Sequence, residues 1–209
     1  MKKILPSLIL LTAVLYIFIL PDSPLPIKLL FKALPMILVM IYAFMNLPKQ
    51  RFFIHYAIMI GLIFSIVGDV TLHWFIVGLT AFLIAHIFYM AGFLTRYRLS
   101  FVRAMTIIPI VIYSYILGNG IIQSITDTSF ILPVTLYIIV ISAMAWAAIM
   151  TRNIYTAMGA VLFVISDSFL AWNMFVTDVP LSGILVMTTY YGAQFLLAHS
   201  LKSLTYQND

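Results

Sequence analysis

Polar, proline and glycine breaks divide this sequence into eight apolar stretches, at roughly residues 4–20, 26–46, 52–72, 75–95, 101–118, 130–150, 154–176 and 181–204. Each is close to the ~20 residues an α-helix needs to cross the hydrocarbon core of a bilayer. A backbone in that medium must satisfy its own hydrogen bonds, so apolar stretches of this length are committed to helix. Charged residues make up 8% of the chain, against about 25% in a soluble domain. An oily soluble protein is thereby excluded. The expected fold is all-α: a polytopic membrane bundle of eight transmembrane helices, forming one domain over residues 1–209. The connections are too short to hold a soluble domain.

Charge placement orients the bundle. Lys2 and Lys3 precede span 1, Lys49 and Arg51 separate spans 2 and 3, and Arg96, Arg98 and Arg103 surround the connection between spans 4 and 5. Arg152 lies between spans 6 and 7, and Lys202 follows span 8. The alternate connections carry Asp22, Asp127 and Asp178 without Lys or Arg. Nine of the eleven basic residues thus fall on one side, which the positive-inside rule makes cytoplasmic, together with both termini. The same scatter explains the net charge of +5 without nucleic acid as a partner. The start, Met1-Lys2-Lys3 and an apolar run, resembles a secretory signal. No small-residue cleavage site follows, and the run is read as a retained first helix. The expected location is a bacterial inner membrane, with the lipid bilayer as surroundings.

Two acidic residues stand inside apolar spans: Asp69, in Gly68-Asp69-Val70-Thr71-Leu72-His73-Trp74, and Asp167, in Ser166-Asp167-Ser168-Phe169-Leu170-Ala171-Trp172. In both contexts a Leu follows three residues after the Asp and a Trp five after. A carboxyl at membrane depth costs several kcal/mol to insert, so it faces the bundle interior and has a partner or a function. The two lie in spans that run in the same direction, which points to a parallel repeat of four plus four helices. If the carboxyls approach each other, one stays protonated while the other ionises, and they form an acid/base pair. Aspartates that only fix helix packing are the plain alternative.

Several polar residues are placed to support a site. Ser65 and His73 lie four residues either side of Asp69, so the three are expected to share a helix face. Ser166 adjoins Asp167, with Asn173 seven residues beyond it. Span 4 carries His86 and Tyr89; span 8 carries Tyr190 and Gln194, with Tyr191 and His199 nearby. Taken singly, each is as well explained by an interhelical hydrogen bond. His55, beside the basic connection, reads as interfacial. Lys28, near the outer end of span 2, can snorkel to the headgroups. Lys32 lies deeper, before Leu34-Pro35, and can pair with an ionised Asp or a substrate phosphate, or snorkel in its turn. There is no Cys and no Glu, and the histidine spacing fits no zinc motif, so neither metal nor cofactor is implied.

The chain resembles the lysoplasmalogenase (YhhN-like) family of integral membrane proteins. The resemblance rests on Lys32-Ala33-Leu34-Pro35, on Gly61 to Val70 with His86-Ile87-Phe88-Tyr89 and Phe93, on Gly159 to Asp167 with Ala171, and on Tyr190-Tyr191-Gly192-Ala193-Gln194. These blocks cover spans 2–8 in order; span 1 and span 5 carry no matching motif. The resemblance implies an eight-helix ether hydrolase acting on a lysophospholipid substrate. It would cleave the vinyl-ether bond of lysoplasmalogens to a fatty aldehyde and glycerophosphoethanolamine or glycerophosphocholine. Asp69 and Asp167 match the two aspartates held to be essential in the family. Substrate contacts are then expected from Lys32, Ser65, His86, Tyr89, Ser166, Asn173, Tyr190 and Gln194.

Vinyl-ether chemistry suits such a pair. Vinyl ethers resist base and hydrolyse through protonation of carbon to an oxocarbenium ion, which calls for a neutral acid, a nearby anion and water. Glycosidases meet a similar cation with two carboxyls. The residues leave other functions open: a metal-dependent, ceramidase-like lipid hydrolase, a small proton-coupled transporter whose paired acids relay protons, or a structural membrane protein.

Overall fold

In the computed structural model, residues 4–20 and 24–204 are described. Lys2, Lys3 and Asp22, which contribute to the expected charge pattern, lie outside the described residues. The described chain is helical, with nine α-helices: α1 (Leu5–Phe18), α2 (Leu25–Met45), α3 (Phe53–Thr71), α4 (Phe75–Leu94), α5 (Phe101–Ala104), α6 (Ile107–Ser124), α7 (Ile131–Met150), α8 (Ile154–Phe175) and α9 (Ser182–Ser200). A 3₁₀ turn, Thr128–Phe130, leads into α7. Six stretches are long and apolar enough to cross a bilayer: α2, α3, α4, Phe101–Ser124, Thr128–Met150 and α8. The 14-residue α1 is only about 21 Å long at 1.5 Å per residue, short of a ~30 Å hydrocarbon core.

The fifth span departs from its expected limits. Gly118-Asn119-Gly120 reads as a break, yet α6 runs through it to Ser124, and the interruption falls instead at Met105-Thr106, between α5 and α6. Gly120 makes room for a neighbour, since a Cβ there would come 3.2 Å from Trp172, whereas one at Gly118 would make ordinary contact with Ile138 at 3.4 Å. Both contacts fall within the bundle, where packing outweighs the weak helix propensity of glycine.

Most helices share one core. Val39, Ile58, Leu62, Ala85, Phe93, Met144, Phe163 and Leu197 join α2, α3, α4, α7, α8 and α9 in it. A second, smaller cluster lies to one side, where Ile121 and Ile125 at the end of α6 meet Val134 of α7, with Phe75, Trp172 and Phe175 against them. Within the larger core α3 packs along α4 and α8 along α9, while α7 covers α4 and α2 approaches α9. Gly61 sets the α3–α4 approach: a Cβ there would meet the Tyr89 ring at 2.2 Å.

One end of the bundle gathers the basic residues. Arg152, in a left-handed turn (φ 60°) between α7 and α8, donates to the Leu99 carbonyl at 2.7 Å, and the Arg98 amide donates to the Met150 carbonyl. Asn153 then caps α8, its side chain accepting from the Tyr155 and Thr156 amides. His55 belongs to this end but is not an interfacial ring. It is wholly buried, and its Nδ1 accepts the Phe52 amide at 2.8 Å. One of the otherwise unpaired N–H groups at the start of α3 is satisfied in this way.

Candidate active site

Lys32 and Tyr137 lie in the first halves of α2 and α7 and Tyr190 at the middle of α9, whereas Asp69 and Asp167 lie past the midpoints of α3 and α8. Successive long helices are joined by short connections and run in opposite directions, so these residues meet towards the end of the bundle away from the arginines.

Both carboxyls line a single cavity of about 180 Å³. Lys32, Ser166, Asn173 and Tyr190 supply most of its other polar wall, with Tyr16 and Met187 alongside. The α8–α9 connection closes one side: the Val179 amide donates to Asn173 Oδ1 at 2.9 Å, and Leu181 takes a left-handed backbone (φ 59°) just before Ser182 and Gly183 reach the cavity. A bulky residue in that conformation is strained, and such strain collects at functional sites.

The surroundings of the two carboxyls differ. Asp69 is 2% exposed and Lys32 13% exposed, with Lys32 Nζ 3.4 Å from Asp69 Oδ1. The same ammonium lies 3.4 Å from the Asp69 carbonyl. Tyr190 donates its hydroxyl to Asp69 Oδ2 at 2.6 Å. Lys32 is itself held through its backbone, since the Tyr191 hydroxyl donates to its carbonyl at 2.8 Å. Asp167 is half-buried and accepts a short hydrogen bond from the Tyr137 hydroxyl; among the described residues no Lys or Arg pairs with it. A buried ion pair needs good geometry and further hydrogen bonds to offset its desolvation, and only Asp69 has that equipment.

Other expected site residues stand behind the cavity. Tyr89 donates to Gln194 Oε1 at 2.9 Å and lies 3.5 Å from Ser65 Oγ, forming a buried strut across α3, α4 and α9. Ser65, Tyr89, Gln194 and His86 do not line the cavity. His86 is wholly buried among the rings of Tyr89, Tyr137 and Phe163. Neither of its ring nitrogens has a hydrogen-bond partner among the described residues; the nearby Phe82 carbonyl is outside bonding geometry. His73 does not share a face with Asp69 and Ser65: α3 ends at Thr71, and His73 is exposed and packed on Trp74 at 4.2 Å between ring centres. Ser166, expected beside Asp167, donates to the Val186 carbonyl at 2.9 Å and fastens α8 to α9. The partner missed in the sequence is Tyr137. A tyrosine in an apolar span is unremarkable alone, and only its place near the start of span 6, as Lys32 is near the start of span 2, offered a signal.

A second, apolar chamber of about 70 Å³ adjoins the first. Leu72, Phe82, Leu170 and Asp167 line both. Phe82 reaches this position because Gly68 leaves it room, a Cβ there falling 2.7 Å from its ring.

The model of the YhhN family matches residues 27–201. The chain is 35% identical over 141 residues to a Mus musculus protein named lysoplasmalogenase TMEM86B, a match covering 66% of this chain and 59% of the mouse protein. It is 29% identical over 183 residues to the Rattus norvegicus protein of the same name, covering 86% and 75%. A Mycobacterium tuberculosis protein named lysoplasmalogenase is 29% identical over 148 residues, covering 66% and 57%. The chain thus spans about three fifths of the mouse and mycobacterial relatives. No solved structure matches it.

Proposed function

The chain belongs to the YhhN family, and on that premise we propose that it is a multi-pass membrane hydrolase that cleaves the vinyl-ether bond of lysoplasmalogens. The observation that carries this reading is the single cavity lined by both Asp69 and Asp167. The names of the relatives supply the substrate class.

The unlike partners of the two carboxyls divide the work. Asp69, facing an ammonium and a tyrosine hydroxyl, is the anion. Asp167, with a tyrosine donor and no cation, is the neutral acid. Its Oδ2 accepts from Tyr137, which leaves the proton on Oδ1 free for the substrate. That proton passes to the β-carbon of the vinyl ether, and an oxocarbenium ion forms beside the Asp69 carboxylate, which stabilises it. Water adds to the cation and gives a proton to Asp69. The hemiacetal hydroxyl then returns a proton to Asp167, the bond to the glycerol oxygen breaks, and that oxygen takes the proton from Asp69. Aldehyde and glycerophospho-alcohol leave, and both carboxyls regain their starting states. Ser166 and Asn173 are the polar wall available to the headgroup and water.

The proposed topology places eight crossing helices in the membrane as one domain, the short α1 accommodated by local thinning of the bilayer, with the arginine-rich end and both termini in the cytoplasm and the cavity towards the opposite face. A four-plus-four repeat is supported by the like pairings of α3 with α4 and α8 with α9. Gly61 and Gly159, each eight residues before an aspartate, support it too. A Cβ at Gly159 would lie 3.1 Å from the Ala193 carbonyl of α9, as one at Gly61 would strike Tyr89 of α4.

The test is aldehyde release by purified protein from lysoplasmenylethanolamine. Asp69→Asn and Asp167→Asn should each abolish release while the protein stays folded. Full activity in either variant would sink the mechanism.

A further inference from the structure

We propose that the apolar chamber seats the hydrocarbon chain of the substrate, and that the chain arrives sideways from the bilayer through a parting of α6 from α7. The proposal rests on the hydrolase reading for the identity of the lipid. A single-chain lipid with its reacting group at Asp167 and its polar head among Lys32, Ser166 and Asn173 must place its chain beyond Asp167. The chamber begins there, sharing Asp167, Leu72, Phe82 and Leu170 with the polar cavity. Its far walls are Leu79, Leu117, Ile121, Val134, Ile138 and Ile141, which offer a chain contact and no hydrogen bond.

At about 70 Å³ against about 180 Å³ for the polar cavity, the chamber is the tighter space, so a long chain needs a wall that yields. α6 is that wall. Of its 18 residues only Gly118 and Ile121 are buried, and it belongs to the smaller core. Two hydroxyl pairs tether it, Tyr113 to Ser168 at 2.8 Å and Ser114 to Ser142 at 2.7 Å.

On the outer side of the α6–α7 contact runs an open, apolar groove of about 460 Å³. Ser114, Ile138 and Ser142 border both the groove and the chamber. Separating that one serine pair would join lipid-facing groove, chamber and Asp167 into a continuous path. Segments with few buried contacts are the ones that open at low cost.

The chain has no cysteine, so the double variant Ser114→Cys/Ser142→Cys gives a single staple across the path. The probe is a saturated alkyl-ether lysophospholipid carrying a diazirine on its chain, which binds without being hydrolysed. In the reduced double variant, photolabel should map to Val134 and Ile141 of the chamber. Oxidation should cut that label at least about tenfold, and reduction should restore it. Undiminished chamber label in the stapled protein, or label confined to the outer groove in both states, would overturn the proposal. Ala171→Phe, on the chamber wall, provides a check without a staple: chamber label from a long-chain probe should fall relative to a short-chain one, and an unchanged ratio would count against the chain seat. Vinyl-ether turnover is assayed separately. Chamber labelling without aldehyde release would end the hydrolase reading and leave the chain seat standing.

Discussion

Asp69 is held between Lys32 and Tyr190 and backed by the Ser65–Tyr89–Gln194 strut, whereas Asp167 has Tyr137 and stands where polar cavity and apolar chamber meet. The difference follows from what each faces. Helices α2 and α9 bring a cation and a phenol to Asp69 within the larger core. The chamber beside Asp167 is bordered by α6, which buries little, and offers hydrocarbon. A charge-stabilised carboxylate and an uncompensated one share one cavity, and under the proposed mechanism that contrast separates base from acid without any difference in residue type.

The comparison is broken most directly by Asp167→Asn, which removes the proposed acid. A general acid contributes about 10²–10⁴-fold, so aldehyde release should fall by about that factor while lipid binding, measured by photolabelling, persists. Retained binding with lost turnover is the signature; loss of both would make Asp167 a packing residue. The next effect concerns stability. Lys32→Met leaves the Asp69 charge buried without its cation, which should cost about 3–5 kcal/mol in a denaturation assay. Adding Asp69→Asn to Lys32→Met should recover part of that loss, because the orphaned charge is gone; an additive double variant would mean the pair is not coupled. Gly61→Ala drives a methyl into the Tyr89 ring and should cost about 1–3 kcal/mol by overpacking, without changing lipid preference. Tyr137→Phe should be the mildest, at about 1 kcal/mol for one hydrogen bond. Its turnover should drop more than its stability, since it leaves Asp167 Oδ2 without its donor. If Tyr137→Phe proves as destabilising as Lys32→Met, the contrast between the two carboxyls collapses.

Much of the bundle was legible in the sequence because membrane insertion acts on each segment separately. The limits of spans 2, 3, 4, 6 and 7 match α2, α3, α4, α7 and α8 to within one residue at either end. Span 5 was misjudged because glycine was read as punctuation, when Gly118 is a buried helical position and Gly120 leaves room for Trp172, neither of which local sequence displays. His55 and His73 were misjudged for a related reason. Whether a histidine near a helix end is buried in a cap or exposed beyond the terminus depends on where the helix stops and what packs against it. The paired contexts of Asp69 and Asp167 also diverge at their trailing tryptophans: Trp74 is exposed, while Trp172 packs into the smaller core.

The sequence by itself determined a helical membrane chain, the side on which its basic residues gather, and two carboxyls that apolar surroundings force inward. These are segment-by-segment consequences of transfer free energy and need no knowledge of neighbours. The tertiary structure alone decided that the carboxyls share one cavity and that their partners are unlike. Those partners come from other helices, 37, 121 and 30 residues away in the chain. A hydrogen bond or ion pair is felt over a few ångströms, so only the packing of α2, α7 and α9 against α3 and α8 could establish which groups meet.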